Sequence, residues 1–140
     1  IPNMLDYKQH IDKESMYNTP PVFPIYASLL TLKWLKNLGG IAAIEKINEA
    51  KANLLYAEID RNPLFKGTAA VEDRSNMNAT FLLNDENHAT IFDKMWKDAG
   101  ISGLAGHRSV GGYRASMYNA LPIESVQVLV DVMQELEKKI

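Results

Sequence analysis

The chain reads as a two-layer α/β sandwich (α+β): a small, mostly antiparallel sheet with helices packed on one face. Three observations point there. Helical and strand patterns follow one another as helix, helix, strand, strand, helix, strand, strand, helix. The length of 140 residues suits one domain with a real core. Hydrophobic residues make up 46% and charged residues 23%, the balance of a globular chain rather than a disordered one.

Residues 1–21 read as an irregular or extended leading segment, set apart from a domain over residues 22–140. The segment ends in Asn18-Thr19-Pro20-Pro21, which two prolines keep out of a helix. A leading segment with so little structure of its own is expected to dock on something else. A helix then fits from Pro24, suited to a first turn, to Leu38, with Gly39-Gly40 suited to its end. The next helix fits Ile41 to Asp60, with Ala43, Ile47, Ala50, Leu54 and Ala57 as an apolar seam able to pack closely on its predecessor. Asn62-Pro63 stops it.

Ala69–Glu72 and Asn78–Leu83 are the first strand candidates, the second enriched in Thr and Phe. Asp85 can cap a helix from Glu86 to Ala99, with Ile91, Phe92, Met95 and Trp96 on one side and Gly100 at its end. Ile101–Leu104 and Gly112–Tyr118 are further strand candidates. The last helix starts near Pro122 and faces the core with Ile123, Val126, Leu129, Val130, Met133 and Leu136. Trp34, Trp96 and the methionines read as core filler.

Composition narrows the function. A net charge of −2 with four Arg argues against a nucleic-acid binder. The absence of Cys removes disulfides, thiolate catalysis and Cys-based zinc sites, and fits a reducing compartment. No apolar run approaches the ~20 residues of a membrane span. His10 and His88 stand alone, without the pairing that would support a metal. No phosphate loop, dinucleotide fingerprint or Ser/His/Asp order is present. Glu45, Glu49 and Glu58 read as a solvated helix face, and Lys46 and Lys51 as surface residues. Ile1-Pro2-Asn3 resembles neither a signal peptide nor a start, and Ile1 is read as a cut point in a longer protein.

Two constellations carry chemistry. His107, Arg108 and Arg114 fall within eight residues, in and beside the loop Ala105-Gly-His-Arg-Ser-Val-Gly-Gly112. Glycines let the backbone approach a ligand, and Arg presents a planar fork of donors to a carboxylate or phosphate. On a strand from Gly112, Arg114, Ser116 and Tyr118 share one face, while Tyr113, Ala115 and Met117 share the other, the core face. The second constellation is Tyr17-Asn18-Thr19-Pro20-Pro21, a polar turn before a helix and a seat for an anion. A plain exposed turn and a simple cap are the alternatives.

In these stretches the chain resembles the C-terminal part of the phosphoserine aminotransferases, from about Leu5 to Glu137. The resemblance rests on five stretches in family order. They are Ser15-Met16-Tyr17-Asn18-Thr19-Pro20-Pro21; Lys33-Trp34-Leu35-Lys36 with Gly39-Gly40; and Glu45-Lys46-Ile47-Asn48 with Lys51-Ala52 and Leu54-Leu55-Tyr56. Arg74-Ser75 with Met77-Asn78 comes next. The last is Gly106-His107-Arg108-Ser109-Val110-Gly111-Gly112-Tyr113-Arg114-Ala115-Ser116 with Tyr118-Asn119-Ala120.

The resemblance implies a type I aminotransferase fold and a cytoplasmic homodimer with active sites at the subunit interface. It implies pyridoxal 5'-phosphate as cofactor, and transfer of the amino group of glutamate to 3-phosphohydroxypyruvate in serine biosynthesis. Residues 1–21 would then be an inter-domain, active-site loop, and residues 22–140 the C-terminal small domain. Asn18 and Thr19 would hold the cofactor phosphate of the neighbouring subunit. His107 and Arg108 would bind the substrate phosphate or the distal carboxylate of glutamate, again from the partner chain, and Arg114 the substrate α-carboxylate. The lysine that binds the cofactor covalently would precede Ile1, and Lys8 lies downstream of that position. No catalytic residue is therefore expected in this chain, and no transaminase activity in isolation. A stand-alone anion-binding module and a type I aminotransferase for another acid are the alternative readings.

Overall fold

The computed structural model describes residues 1–106 and 111–140, which form two compact units, Ile1–Gly40 and Ile41–Ile140. In the first unit, a 3-10 turn at Asn3–Leu5 precedes α1 (Tyr7–Ile11) and α2 (Val22–Asn37). The segment expected to be irregular thus holds a 3-10 turn and a short α-helix. Asp6 caps it by accepting the Lys8 N–H at 3.1 Å. The helix α2 starts two residues before Pro24. It ends where two glycines were expected to end it: Gly39 and Gly40 lie at φ 111° and 77°, and the Gly40 N–H reaches the Leu35 carbonyl at 2.9 Å. No residue of α2 is buried, and Trp34, expected in a core, is exposed.

The second unit contains α3 (Ile41–Arg61), β1 (Phe65–Gly67), β2 (Asn78–Leu83), α4 (Ala89–Asp98), β3 (Tyr113–Ser116) and α5 (Ile123–Lys139). The three strands form an antiparallel sheet in the order β1-β2-β3, with Phe65 opposite Leu83 and Thr80 opposite Arg114. Alternation along β2 decides the faces: Ala79, Phe81 and Leu83 are buried, while Asn78, Thr80 and Leu82 are partly open. The helices pack on the buried side, α3 against β1, β2 and α5, and α4 against α5. Phe65, Phe81, Phe92 and Tyr113 meet there as an aromatic cluster, with the Phe92 and Tyr113 rings edge to face at 4.9 Å.

Three expected elements differ. The strand expected at Ala69–Glu72 is instead β1, four residues earlier; Phe65 fills the core, whereas Val71 is exposed in a 3-10 turn at Val71–Asp73. Ile101–Leu104 is not a strand. Gly100 before it and Gly103 within it take positive φ, and pairing begins with a single bridge from Ala105 to Tyr113. The helix expected from Glu86 opens as a 3-10 turn, with Asp85 accepting the Asn87 N–H at 2.9 Å, and becomes α-helical at Ala89.

The buried stripe of α3 is rotated from the expected seam. It runs Ile44, Asn48, Lys51, Leu55 and Glu58, with Ala52, Tyr56 and Ile59 beside it; Ala50 and Ala57 are exposed. Glu45, Glu49 and Lys46 are solvated as expected, but Glu58 and Lys51 are not. Their hydrogen bonds explain why burial is tolerated. Glu58 accepts from Arg61, Asn62 and Gln134, and Arg61 also bonds Glu137, so the end of α3 is fastened to α5.

Candidate functional site

The strand β3 is placed by its aromatic and carbonyl contacts. The Tyr113 ring stacks on Phe81, and its hydroxyl donates to Asp93 at 3.0 Å. Burial and the nearby Asp93 carboxylate push that hydroxyl's pKa above the ordinary tyrosine value. Asp93 also accepts the Trp96 indole N–H at 3.1 Å, so α4 holds β3 through one carboxylate. With Tyr113, Ala115 and Met117 buried, the pleat puts Arg114, Ser116 and Tyr118 on the other face, as the alternation in the sequence predicts.

Arg114 stands exposed on that face. Its backbone N–H is bonded to the Leu104 carbonyl at 2.7 Å, and no carboxylate pairs with its guanidinium among the described residues. Beside it, Ser116 donates to Asn78 at 3.2 Å. Tyr118 lies in the same polar group; hydrogen bonds with Asn78 and Ser116, and the Arg114 charge, hold its phenol below the ordinary value. Arg114 also lines a cavity of about 330 Å³ formed by residues 99–104, β3, Leu121 and the start of α5, with Ser102, Ser116 and Ser125 as polar lining. An arginine without an acidic partner at a cavity of this size can take a carboxylate or phosphate by paired N–H···O bonds.

The glycines around the loop have a steric reason. Gly112 has φ +67°, and a Cβ there would lie 2.3 Å from Leu82 Cδ2 and 2.9 Å from the Phe81 carbonyl. A Cβ on Gly106 would meet the Gly111 carbonyl at 2.2 Å. The Gly106 N–H donates to the Gly112 carbonyl at 2.8 Å, pinning the two ends of the segment between them. His107 and Arg108 lie in that segment, outside the described residues.

Asn18 and Thr19 belong to the first unit, where both are exposed and neither side chain bonds another described residue. They precede the start of α2, whose cap residue, Pro21, offers no side-chain acceptor and leaves the first N–H groups open. His10 bonds the Met4 carbonyl and packs edge-on against Tyr17, and His88 lies near Asp85.

Sequence reasoning missed Lys51 as a member of this region. Its Nζ donates to the carbonyls of Met117, Tyr118 and Leu121 at 3.0, 2.9 and 3.1 Å, directly after β3. Asn48 adds a bond to Asn119 at 2.8 Å. The available signal was spacing. Asn48, Lys51 and Glu58 continue the Ile44–Leu55 stripe at steps of three and four, so they share its buried face.

Residues 2–129 match the model of the class-V aminotransferase family. A phosphoserine aminotransferase of Flavobacterium psychrophilum is 83% identical over all 140 residues, and the chain spans 39% of that relative's length. The solved phosphoserine aminotransferase from Bacillus circulans subsp. alkalophilus superposes with a TM-score of 0.89 at 42% identity, over 99% of this chain and 39% of that one. A PLP-bound phosphoserine aminotransferase from Trichomonas vaginalis superposes with a TM-score of 0.82 at 38% identity, over 96% of this chain and 39% of that one. The expected antiparallel sheet with helices packed on it is thereby that of the type I aminotransferase fold.

Proposed function

Because this chain belongs to the class-V aminotransferase family, we propose that it forms the C-terminal part of a phosphoserine aminotransferase. The complete enzyme moves the amino group of glutamate to 3-phosphohydroxypyruvate, yielding phosphoserine and 2-oxoglutarate for serine biosynthesis, as a cytoplasmic homodimer. In this reading residues 1–21 reach the active site between domains, and residues 22–140 are the small domain. The observation that carries it is Arg114: a cation with no acidic partner among the described residues, beside a cavity of about 330 Å³. Both substrates are anions with an α-carboxylate, and a guanidinium fork binds that group in a fixed orientation.

Pyridoxal phosphate, when bound, supplies the electron sink that amino-group transfer needs. The donors present here fit its phosphate. Asn18 brings an amide, Thr19 a hydroxyl, both are exposed, and the adjacent helix start leaves N–H groups open. They would hold the phosphate of the neighbouring subunit's cofactor. Arg114 orients the substrate by its α-carboxylate, and His107 and Arg108 take the distal phosphate or carboxylate, with donors that suit both.

In the complete enzyme, Arg114→Ala should raise KM for both substrates by roughly 10- to 100-fold, the value of a charge-assisted pair. Arg108→Ala should weaken phosphorylated substrates selectively; equal losses for phosphorylated and non-phosphorylated acids would remove that assignment. The pure 140-residue chain should show neither turnover of glutamate nor a specific lysine adduct with pyridoxal phosphate after borohydride reduction. Steady turnover, or stoichiometric labelling of one lysine, would overturn the reading.

A further inference from the structure

Lys51 is fully enclosed, and its ammonium carries three N–H donors. Three backbone carbonyls receive them, and all three lie in residues 117–121, the link that leaves β3 and enters α5. Both elements wall the cavity beside Arg114. One turn earlier on α3, Asn48 ties the same link through Asn119. No carboxylate pairs with Lys51 among the described residues. Burial lowers its pKa, the mark of a charge held against a desolvation cost. A buried cation held by carbonyl dipoles alone is a poor source of stability. Its geometric effect is specific: it joins the exit of one cavity wall to the entry of the other at a single atom.

We propose that Lys51 is a positioning residue for anion binding at Arg114, fixing the 117–121 link so that β3 and α5 keep the cavity at one width. The substrate half of this proposal rests on the aminotransferase reading; the holding of the link does not.

Lys51→Met keeps the stem and removes the donors. Amide hydrogen exchange in the 140-residue chain tests the link directly. The Arg114 and Met117 amides are bonded to the Leu104 and Met77 carbonyls at 2.7 and 2.8 Å. They should exchange about tenfold faster in the variant, while Phe92 and Trp96 in α4 stay within about twofold. No change, or equal acceleration throughout, overturns the proposal. If Lys51→Met does not fold, Lys51→Gln, whose amide can serve at most two of the three carbonyls, is read at the same amides. Faster exchange confined to them supports the proposal, and unchanged exchange overturns it.

In the complete enzyme, the Lys51 variant should raise KM for glutamate by about tenfold with kcat within about twofold. A loss of kcat at unchanged KM marks a merely structural role and overturns the substrate half. A wild-type enzyme that fails to use glutamate would instead remove the aminotransferase reading, leaving the exchange result to judge Lys51.

Discussion

At Gly112 one hydrogen atom decides whether the chain can pass. The position combines φ +67° with a Cβ path blocked 2.3 Å away by Leu82. Gly112→Ala should therefore destabilise the second unit by about 2 kcal/mol, the sum of overpacking and backbone strain, read from the midpoint of urea unfolding. Glu58 supplies a pH prediction. Burial pushes its carboxyl pKa up, but hydrogen bonds from Arg61, Asn62 and Gln134 bring it below the ordinary 4.5. The folded state then binds the proton less tightly than the unfolded state. The stabilisation is complete above pH 4.5 and is lost as pH falls through the lower folded value. Thermal melts should show the wild type losing stability below pH 4.5 more steeply than Glu58→Gln, with the two curves converging in acid. Parallel curves would remove Glu58 as the acid-sensitive group.

Between elements, Asp93 is the contact to remove. It serves the Trp96 indole and the Tyr113 hydroxyl at once, so Asp93→Ala leaves two partly buried donors on α4 and β3 without an acceptor. The expected loss is about 2–3 kcal/mol in denaturant unfolding, with a red shift in Trp96 emission as its ring gains water. A loss below about 0.5 kcal/mol would place the hold on β3 in ring packing instead. The same elements show what a sequence can disclose. The strand β2 was legible to the residue from its Thr and Phe content, and its burial alternates with a period of two. The facing of Arg114 followed from the same period. The strand β1 was not legible: three residues, one of them Gly67, give no period, and only pairing with β2 makes it a strand. Lys51 and Glu58 look like surface residues because their partners are remote, 66 to 70 positions away for Lys51 and 76 for Gln134. Local pattern registers charge but carries nothing about a carbonyl cluster that long-range folding will bring to it.

For the molecule as a whole, the exposed apolar residues gather in the first unit: Met4, Leu5, Val22, Phe23, Ile25 and Leu32 are all more than half open to solvent. Surfaces of this kind drive association. Sedimentation of the 140-residue chain should show concentration-dependent self-association, reduced by Phe23→Asp; a clean monomer at high concentration would count against it. The join between α3 and α5 has a temporal side. The helix α3 contributes Leu55 and Ile59 to the core, and α5, made later, contributes Val126 to Leu136. During synthesis at about 5–20 residues per second, Leu55 waits roughly 4–16 s for Leu136 to be added. Throughout that interval α3 displays an apolar stripe with an ammonium and a carboxylate already embedded in it. Charges of this kind favour contact with water wherever they lack partners, so Lys51 and Glu58, enclosed once α5 is in place, should oppose premature association of the stripe.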